Sequence, residues 1–535
     1  MDTWRNKMLG YSFRKRLINK TIFTTLLLLH VILVTGQTII TNTHVNIGTD
    51  LISGQSITGT TYEFGDRIYN YYLDTTSRTL TLQLRGLSKN GKYLNNKGVL
   101  TSFDLKSKNI SWTRDLYYGN TSIEQYEEVL LMSVGYGSTT RVELTSGFDL
   151  WNSKVVVFAT FPGLNVAFGY KYNSFTQKLS NKLSCIDLTS GEVRWERKID
   201  NDYGLNQFLN LNDTAVLVSA SGLHHLNLET GEGWDYDVVT GVKDYSKTVG
   251  LNVAGAVLGL LTGSFVYTTG HDLVSNLVSN IERDSLHIYF ASKEYLACLS
   301  YDGNVKWRTK LPKETSHSSL LIDSTKVYLI NRGEAEYNGK KCNYGEPYIA
   351  IFDKKTGQQV ALSLFDLKKN PILSYITGND SIDLVLKDRT IRYALINSDF
   401  QTVFYDVGQT GEFQYDVSKF FTYIKTDSII QSLHVFDPQA LYLMNNKGYV
   451  IKLNRKLELE RTIDLSELYV CKGMQGFYTF LHHDNTIFVL NNAGKVVAEL
   501  NIGKEIFIYQ DKLYAVEANV LTEIPLNVLS NGISN

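Results

Sequence analysis

The sequence predicts an all-β protein built from repeated units of four antiparallel strands. Its 34 Tyr and 24 Phe, and its forty Gly against six Pro, suit many strands joined by Gly-bearing turns. Alternating apolar runs recur along the chain, and a Trp recurs shortly after a turn glycine. The 535 residues can bury a large core. The net charge of −1 argues against a dedicated nucleic-acid binder, which would carry a basic face.

The recurring element is a hairpin with a tight polar turn. In "CIDLTSGEVRWERKI" an alternating strand leads into a turn, and a second alternating strand follows. This pattern is typical of a β-hairpin. Later copies, such as "IAIFDKKTGQQVALSLF", keep the turn without the Trp. We call each copy of this hairpin a motif station. The residues that define the stations are Trp112, Asp187, Gly191, Trp195, Gly231, Trp234, Gly303, Trp307, Asp353 and Gly357.

Regular β units of this length predict radial repetition in a β-propeller with four-stranded antiparallel blades. Eight motif stations favour eight blades, and the long interval between Trp112 and Trp195 leaves seven open. We expect each Trp to lie across the gap to the neighbouring blade. We assign residues 62–525 to the propeller, and we expect its last strands to pair with those around "TLTLQLRG".

The order of apolar alternation, Asp, Thr-Gly, three residues and Trp resembles the pyrroloquinoline-quinone-type (PQQ) repeat. The chain is therefore similar to bacterial envelope propellers of the outer-membrane assembly type. Quinone enzymes of that kind use an adjacent Cys pair, calcium ligands and an Asp base. Here no two of the four cysteines are adjacent in sequence; they are Cys185, Cys298, Cys342 and Cys471. We expect them to be mostly small buried residues, and we expect no cofactor, metal or catalytic residue.

Two other motifs have structural interpretations. "GLSKNGKY", Gly86 to Tyr93, has the spacing of a phosphate loop up to Lys92. Tyr93 stands where Ser or Thr is needed, and no helix follows, so we interpret the motif as a Gly-Asn turn. The pairs His224-His225 and His482-His483 lie in strand patterns. Neighbours on a strand point to opposite faces, so such a pair is not expected to bind one metal.

The N-terminus predicts export. A basic start is followed by the apolar stretch "TIFTTLLLLHVILV" and the small residues "VTG". We assign residues 1–36 to a signal peptide, with cleavage near Gln37; an uncleaved anchor is the alternative. Residues 37–61 form an N-terminal extension, and residues 526–535 form a C-terminal tail. The expected location is the periplasm or cell envelope of a bacterium.

One stretch interrupts the β pattern between Trp234 and Trp307. The insertion, at about 241–281, contains an uncharged segment from Thr248 to Gly270. Gly255, Gly259 and Gly263 stand four apart, which is the close-packing spacing of a helix interface. The sequence therefore predicts a Gly-rich helical insertion packed on the propeller. It is also the candidate for peripheral membrane contact or partner binding.

These features favour an exported, non-enzymatic propeller that acts as a protein-interaction scaffold in the envelope. Exposed loops held by a rigid frame suit that role. The sequence does not name the protein partner. The alternatives are a quinone-dependent dehydrogenase-like enzyme and a sensor propeller for small ligands or glycans.

Overall fold

The structure is a computed structural model. It describes residues 42–529 except 135–136, 174–177, 201–202, 245–271, 314, 366–369, 420, 427–428, 434–436 and 438–439. The predicted signal peptide and the core of the predicted insertion, with Gly255, Gly259 and Gly263, lie outside the described residues. No helix in the described part of the chain is long and apolar enough to cross a membrane.

The strands are introduced in chain order. The first half contains β1 (Asn42–Asp50), β2 (Ser56–Glu63), β3 (Arg67–Asp74), β4 (Thr79–Leu87), β5 (Leu94–Asp104), β6 (Asn109–Tyr117), β7 (Thr121–Tyr126), β8 (Val129–Val134), β9 (Ser138–Val142), β10 (Asp149–Ser153), β11 (Val155–Phe161), β12 (Val166–Asn173), β13 (Lys178–Asp187), β14 (Val193–Lys198), β15 (Gln207–Asn212), β16 (Ala215–Ala220), β17 (Gly222–Asn227), β18 (Asp235–Tyr236), β19 (Val242–Asp244) and β20 (Asp272–Ser275).

The second half contains β21 (Glu282–Arg283), β22 (His287–Ala291), β23 (Tyr295–Ser300), β24 (Val305–Lys310), β25 (Ser318–Ile322), β26 (Lys326–Asn331), β27 (Glu334–Tyr337), β28 (Lys340–Asn343), β29 (Tyr348–Asp353), β30 (Gln359–Leu364), β31 (Ser374–Thr377), β32 (Ser381–Val385), β33 (Arg389–Ala394), β34 (Phe400–Phe404), β35 (Phe413–Asp416), β36 (Tyr423–Lys425), β37 (Ile430–Ser432), β38 (Leu441–Asn445), β39 (Val450–Leu453), β40 (Leu459–Ile463), β41 (Leu468–Gln475), β42 (Tyr478–His483), β43 (Thr486–Leu490), β44 (Val496–Leu500), β45 (Glu505–Tyr509), β46 (Lys512–Glu517) and β47 (Val520–Pro525). The described helical turns are Pro162–Leu164, Val407–Thr410, Val417–Lys419, Leu465–Glu467 and Leu526–Val528.

The chain divides into two compact units. The first comprises residues 1–135, 139–152 and 472–535, and the second comprises 136–138 and 153–471. Across the described residues, nine sheets have four antiparallel strands. The prediction of an all-β fold with four-stranded antiparallel sheets is therefore confirmed, and the architecture is consistent with a propeller. The number of blades stays a prediction.

The second strand of a four-stranded sheet is buried on both faces, whereas the outer strand buries alternate residues. All six residues of β16 are buried, but on the outer strand β14 the residues Arg194, Glu196 and Lys198 are exposed. This difference follows from packing, because a middle strand is covered by a neighbouring sheet on each face. The core accordingly divides into apolar layers between successive sheets, such as the one that joins Phe168 and Trp195 to Val218.

In the first unit the first and last described strands share a sheet. Strand β47 pairs with β2, with Thr61 opposite Thr522, and β1 pairs with β44. The segment "TLTLQLRG", which was expected to pair with the last strands, does not do so. It forms β4, which pairs with β3 and β5. Strand β1 and all but the last two residues of β2 fall in the predicted N-terminal extension, whose Gly and Thr content hid a strand pattern.

Two of the sheets were not predicted from the sequence. The interval before Trp195 contains the sheet β7–β10, where Trp151 follows Gly147 by the same four residues that separate Gly191 and Trp195. A further sheet combines β19 and β20 with β27 and β28. Its first two strands lie within the predicted insertion at about 241–281, so the helical prediction is wrong for these residues, which pair as antiparallel strands. The other two strands lie within the segment that joins β26 to β29.

Candidate interaction surface

Four tryptophans on or next to outer strands lie against the turn glycine of the following sheet. A Cβ atom built on Gly231 would lie 2.5 Å from the Trp195 ring, and Trp195 Nε1 donates to the Leu228 carbonyl at 2.9 Å. Equivalent contacts join Trp112 to Gly147 and Leu144, Trp234 to Gly303 and Tyr301, and Trp307 to Gly357 and Lys354. These residues therefore connect neighbouring sheets and form the frame that carries exposed surfaces.

The acidic residues of the repeat act within their turns. The Asp187 carboxylate accepts hydrogen bonds from the Thr189 and Ser190 N–H groups at 2.8 and 2.9 Å. Asp353 accepts from both the hydroxyl and the N–H of Thr356, and these hydrogen bonds lower the pKa of its carboxyl group. Such turns satisfy backbone N–H groups locally.

The first histidine pair is divided between two environments. His224 is buried, and its Nδ1 lies 2.7 Å from Asp235 Oδ1. The His225 ring stacks on Trp234 at 5.5 Å, and burial, followed by the charge of Arg197, lowers the pKa of this histidine. The two imidazoles therefore have separate partners. In the second pair, burial is the largest cause of the lowered pKa of His482.

The outer strand β30 differs from its equivalents in other sheets. In β14 the exposed positions on either side of the Trp are Arg194, Glu196 and Lys198, and in β24 they are Lys306, Arg308 and Lys310. In β30 the same positions are Val360, Leu362 and Leu364, which are 54%, 38% and 61% exposed. Gly357 fixes the alignment, because it precedes Ala361 by the four residues that separate Gly303 and Trp307.

Strand β30 is also a free edge. It is the last strand of its sheet and pairs with β29, where Leu362 lies opposite Ala350. Among the described residues, no backbone hydrogen bond of residues 359–364 reaches outside this sheet. An edge strand of this kind presents unpaired N–H and C=O groups, and natural proteins usually protect it with charged side chains.

The next sheet in the chain carries further exposed aromatic side chains, which meet the other face of β30. The ring of Phe365, directly after β30, lies 5.7 Å from that of Phe400 at the start of β34, and Phe400 is 55% exposed. At the other end of β34, the Arg389 guanidinium lies 4.3 Å from the Phe404 ring centre. Hydrogen bonds from Arg389 lower the pKa of Asp388, so this cation is already paired. Val360, Leu362 and Leu364 form what we call the apolar edge.

The cysteines make no disulfide in the structure. Cys185 and Cys298 are buried, and Cys342 and Cys471 are partly buried. Burial raises the pKa of Cys185 to about 12 and that of Cys298 to about 11, which keeps both as thiols at neutral pH. Strands β13 and β23 thus use cysteine as a small core side chain.

Comparisons with known proteins give structural likenesses only. No family model matches the chain, and no curated protein sequence matches it. BamB from Moraxella catarrhalis is 12% identical, with a TM-score of 0.33 over 81% of this chain and 99% of that chain. The computationally designed Ika8 protein is 9% identical, with a TM-score of 0.30 over 72% and 96%. A eukaryotic initiation factor is 9% identical, with a TM-score of 0.35 over 85% and 98%. Likenesses at this level carry no argument about function.

Proposed function

We propose that the protein is an exported, non-enzymatic β-propeller that acts as a protein-interaction scaffold in a bacterial cell envelope. Its four-stranded sheets are the blades. The motif stations give eight blades, or seven. The sheet β7–β10 was not among these stations and has to be included in the count. The observation that carries the scaffold role is the apolar edge, where Val360, Leu362 and Leu364 replace the charges of equivalent strands.

The chemistry of β30 favours a partner that adds an extended strand. Residues 359–364 carry no charge. Their free backbone groups match a further strand, and apolar side chains two residues apart match the spacing of pockets along a paired strand. The expected partner segment is therefore extended, apolar and about six residues long.

The sister strand β24 provides the residues for a test. The variant V360K/L362R/L364K gives β30 the side chains that β24 carries at these positions. We expect it to fold with a free energy of unfolding within about 0.5 kcal/mol of the wild type, because all three positions are exposed. A photo-crosslinking residue at position 364 should capture one partner from the envelope fraction. With Val360→Lys and Leu362→Arg in the same chain, that capture should be lost.

The matched control removes charges from β24 instead. The variant K306A/R308A/K310A should keep the crosslink at position 364, because its changes lie on another outer strand. Equal capture by the wild type and the charged β30 variant would contradict the proposal. Export is tested separately by N-terminal sequencing of the native protein, where we expect a mature chain beginning near Gln37. Addition of pyrroloquinoline quinone is expected to give no dye-linked turnover.

A further inference from the structure

The hairpin of β4 and β5 extends past both of its neighbours in the sheet. Strand β3 reaches Arg67, opposite Arg85, and β6 reaches Tyr117, opposite Lys97. Beyond these pairs β4 and β5 pair only with each other, with Leu87 opposite Leu94, apart from one hydrogen bond from Tyr118 N to the Asn96 carbonyl. Residues 86–96, which we call the hairpin tip, therefore project from the sheet without a lateral strand.

Internal hydrogen bonds order the tip and use its backbone donors. Gly91 N donates to the Ser88 carbonyl at 2.7 Å, Lys92 N to Asn90 Oδ1 at 3.1 Å, and Tyr93 N to Ser88 Oγ at 3.1 Å. A phosphate loop needs such N–H groups to face the ligand. The backbone here is engaged with itself, so the spacing from Gly86 to Lys92 does not make a phosphate cradle.

Large apolar and aromatic side chains are exposed at and beside the tip. Tyr93 is 70% exposed and Leu87 is 50% exposed; next to the tip, Tyr69 is 51% and Tyr117 is 49% exposed. Tyrosine rings of this kind, with an apolar body and a polar hydroxyl, are enriched at the boundary between lipid and water.

The charge around the tip is strongly positive. Lys89, Lys92 and Lys97 are exposed. Arg85 is partly buried, with its guanidinium 4.9 Å from the Tyr69 ring centre and 4.6 Å from that of Tyr118. Together with Arg67 these make five cations, against the two carboxylates of Asp66 and Asp115. A chain with a net charge of −1 thus places a local positive excess around exposed apolar side chains.

We propose that the hairpin tip docks on an anionic lipid surface. Leu87 and Tyr93 enter the headgroup region, while Lys89 and Lys92 remain at the level of the lipid phosphates. The tip projects from the sheet and does not form a groove. Its exposed apolar side chains are therefore suited to insertion into a flat lipid surface. An acidic peptide would use the lysines and leave the exposed Leu87 and Tyr93 without a role.

Vesicle sedimentation tests the proposal with the mature chain. Vesicles of phosphatidylglycerol and phosphatidylcholine should bind the protein, and vesicles of phosphatidylcholine alone should bind it far less. Removal of two cations in K89A/K92A should lower binding about thirtyfold. L87S/Y93S should lower it about tenfold, and higher salt should weaken the binding of the wild type. The matched control K106A/K495A removes two exposed lysines outside the tip and should bind as the wild type does.

Two outcomes would overturn the proposal. One is equal binding of the wild type and both tip variants to the anionic vesicles. The other is loss of binding in K89A/K92A with no loss in L87S/Y93S, accompanied by binding of the wild type to soluble polyglutamate; that result would assign the tip to an acidic polymer. Circular dichroism of each variant confirms that the exposed substitutions leave the fold intact. The vesicles contain no protein, so this result is independent of strand addition at β30.

Discussion

Trp195 and Gly231 depend on each other across two sheets. The glycine needs a positive φ of 73° to close its turn, and its missing side chain leaves the space that the indole fills. The indole N–H in turn bonds to a carbonyl of that same turn. This dependence explains why the motif contains both residues, because the Trp ring fits only where the glycine has no side chain.

Gly231→Ala should lower the free energy of unfolding by about 2–4 kcal/mol. The added methyl group meets the Trp195 ring, and alanine disfavours the positive φ. Urea denaturation measures the loss. Gly339→Ala is the matched control, because Gly339 has a φ of 75° and open space around its would-be Cβ. It should cost about 1 kcal/mol, from the backbone alone.

A double-mutant cycle separates the contact from the turn. In a Trp195→Ala background the ring is gone, so Gly231→Ala should cost no more than Gly339→Ala does. If the cost of Gly231→Ala is the same with and without Trp195, the indole and the glycine are energetically independent. The repeat would then not depend on a contact between these two residues.

Lys108 occupies a turn position that glycine holds in other copies. Its N–H donates to the Asp104 carbonyl, as Gly191 N does to Asp187, and its φ is 61°. The ammonium group bonds to Glu523 and lies near the rings of Tyr62 and Tyr514. A charged and aromatic contact thus replaces the Trp–Gly contact at this turn. Burial lowers the pKa of Lys108.

Glu523→Gln should therefore destabilise the protein by about 2–4 kcal/mol at pH 7, because Lys108 loses the charge that offsets its burial. Burial alone would raise the pKa of Glu523, but hydrogen bonds and charges from Lys108 and Lys512 lower it overall. A carboxyl group with a lowered pKa adds stability above its unfolded value of about 4.3 and loses it as the pH falls further.

Denaturation from pH 7 to pH 2 measures this contribution. The difference between the wild type and Glu523→Gln should narrow below about pH 4.3. Asp302→Asn is the control, since Asp302 is exposed at a turn outside this contact. A difference between the wild type and Glu523→Gln that stays constant over the whole range would mean that the Glu523 charge contributes nothing.

At the scale of the element, alternation and turn residues predicted most strands, but pairing depended on contacts distant in sequence. The copy that ends at Trp151 escapes the sequence pattern because β8 and β9 are separated by Gly135 and Gly137, which interrupt the alternation. The pairing of β47 with β2 joins residues at opposite ends of the chain. Strand pattern alone does not specify such a partner, because register comes from packing as well as from local sequence.

The outer strands show why the candidate surface was not predicted. "QQVALSLF" looks like any half-buried strand, and a Val-Ala-Leu-Ser-Leu run gives no sign of which face meets solvent. The signal lay in the comparison of copies: the positions of Val360, Leu362 and Leu364 carry Lys306, Arg308 and Lys310 in β24. Only the position of β30 at the edge of its sheet converts that difference into an exposed apolar surface.

At the scale of the whole molecule, the longest segment outside the described residues between 42 and 529 is 245–271. This segment joins β19 to β20, which pair antiparallel from Val242 opposite Val274 to Asp244 opposite Asp272. Thr248 to Gly270 carries no charge, so it would be an association surface if left in water. The protein itself, a second copy or lipid has to cover it.

We expect the protein's own surface to cover this segment, with Gly255, Gly259 and Gly263 allowing close approach of the backbone. Gly259→Leu should then lower the melting temperature by overpacking, while the protein stays monomeric and soluble. A second variant replaces residues 246–270 with a short Gly-Ser turn between the paired ends of β19 and β20. It should also melt at a lower temperature, because it removes apolar contacts from the fold. Calorimetry and light scattering measure both effects. An unchanged melting temperature together with loss of dimers or of membrane recovery would instead make this segment an interaction surface in its own right.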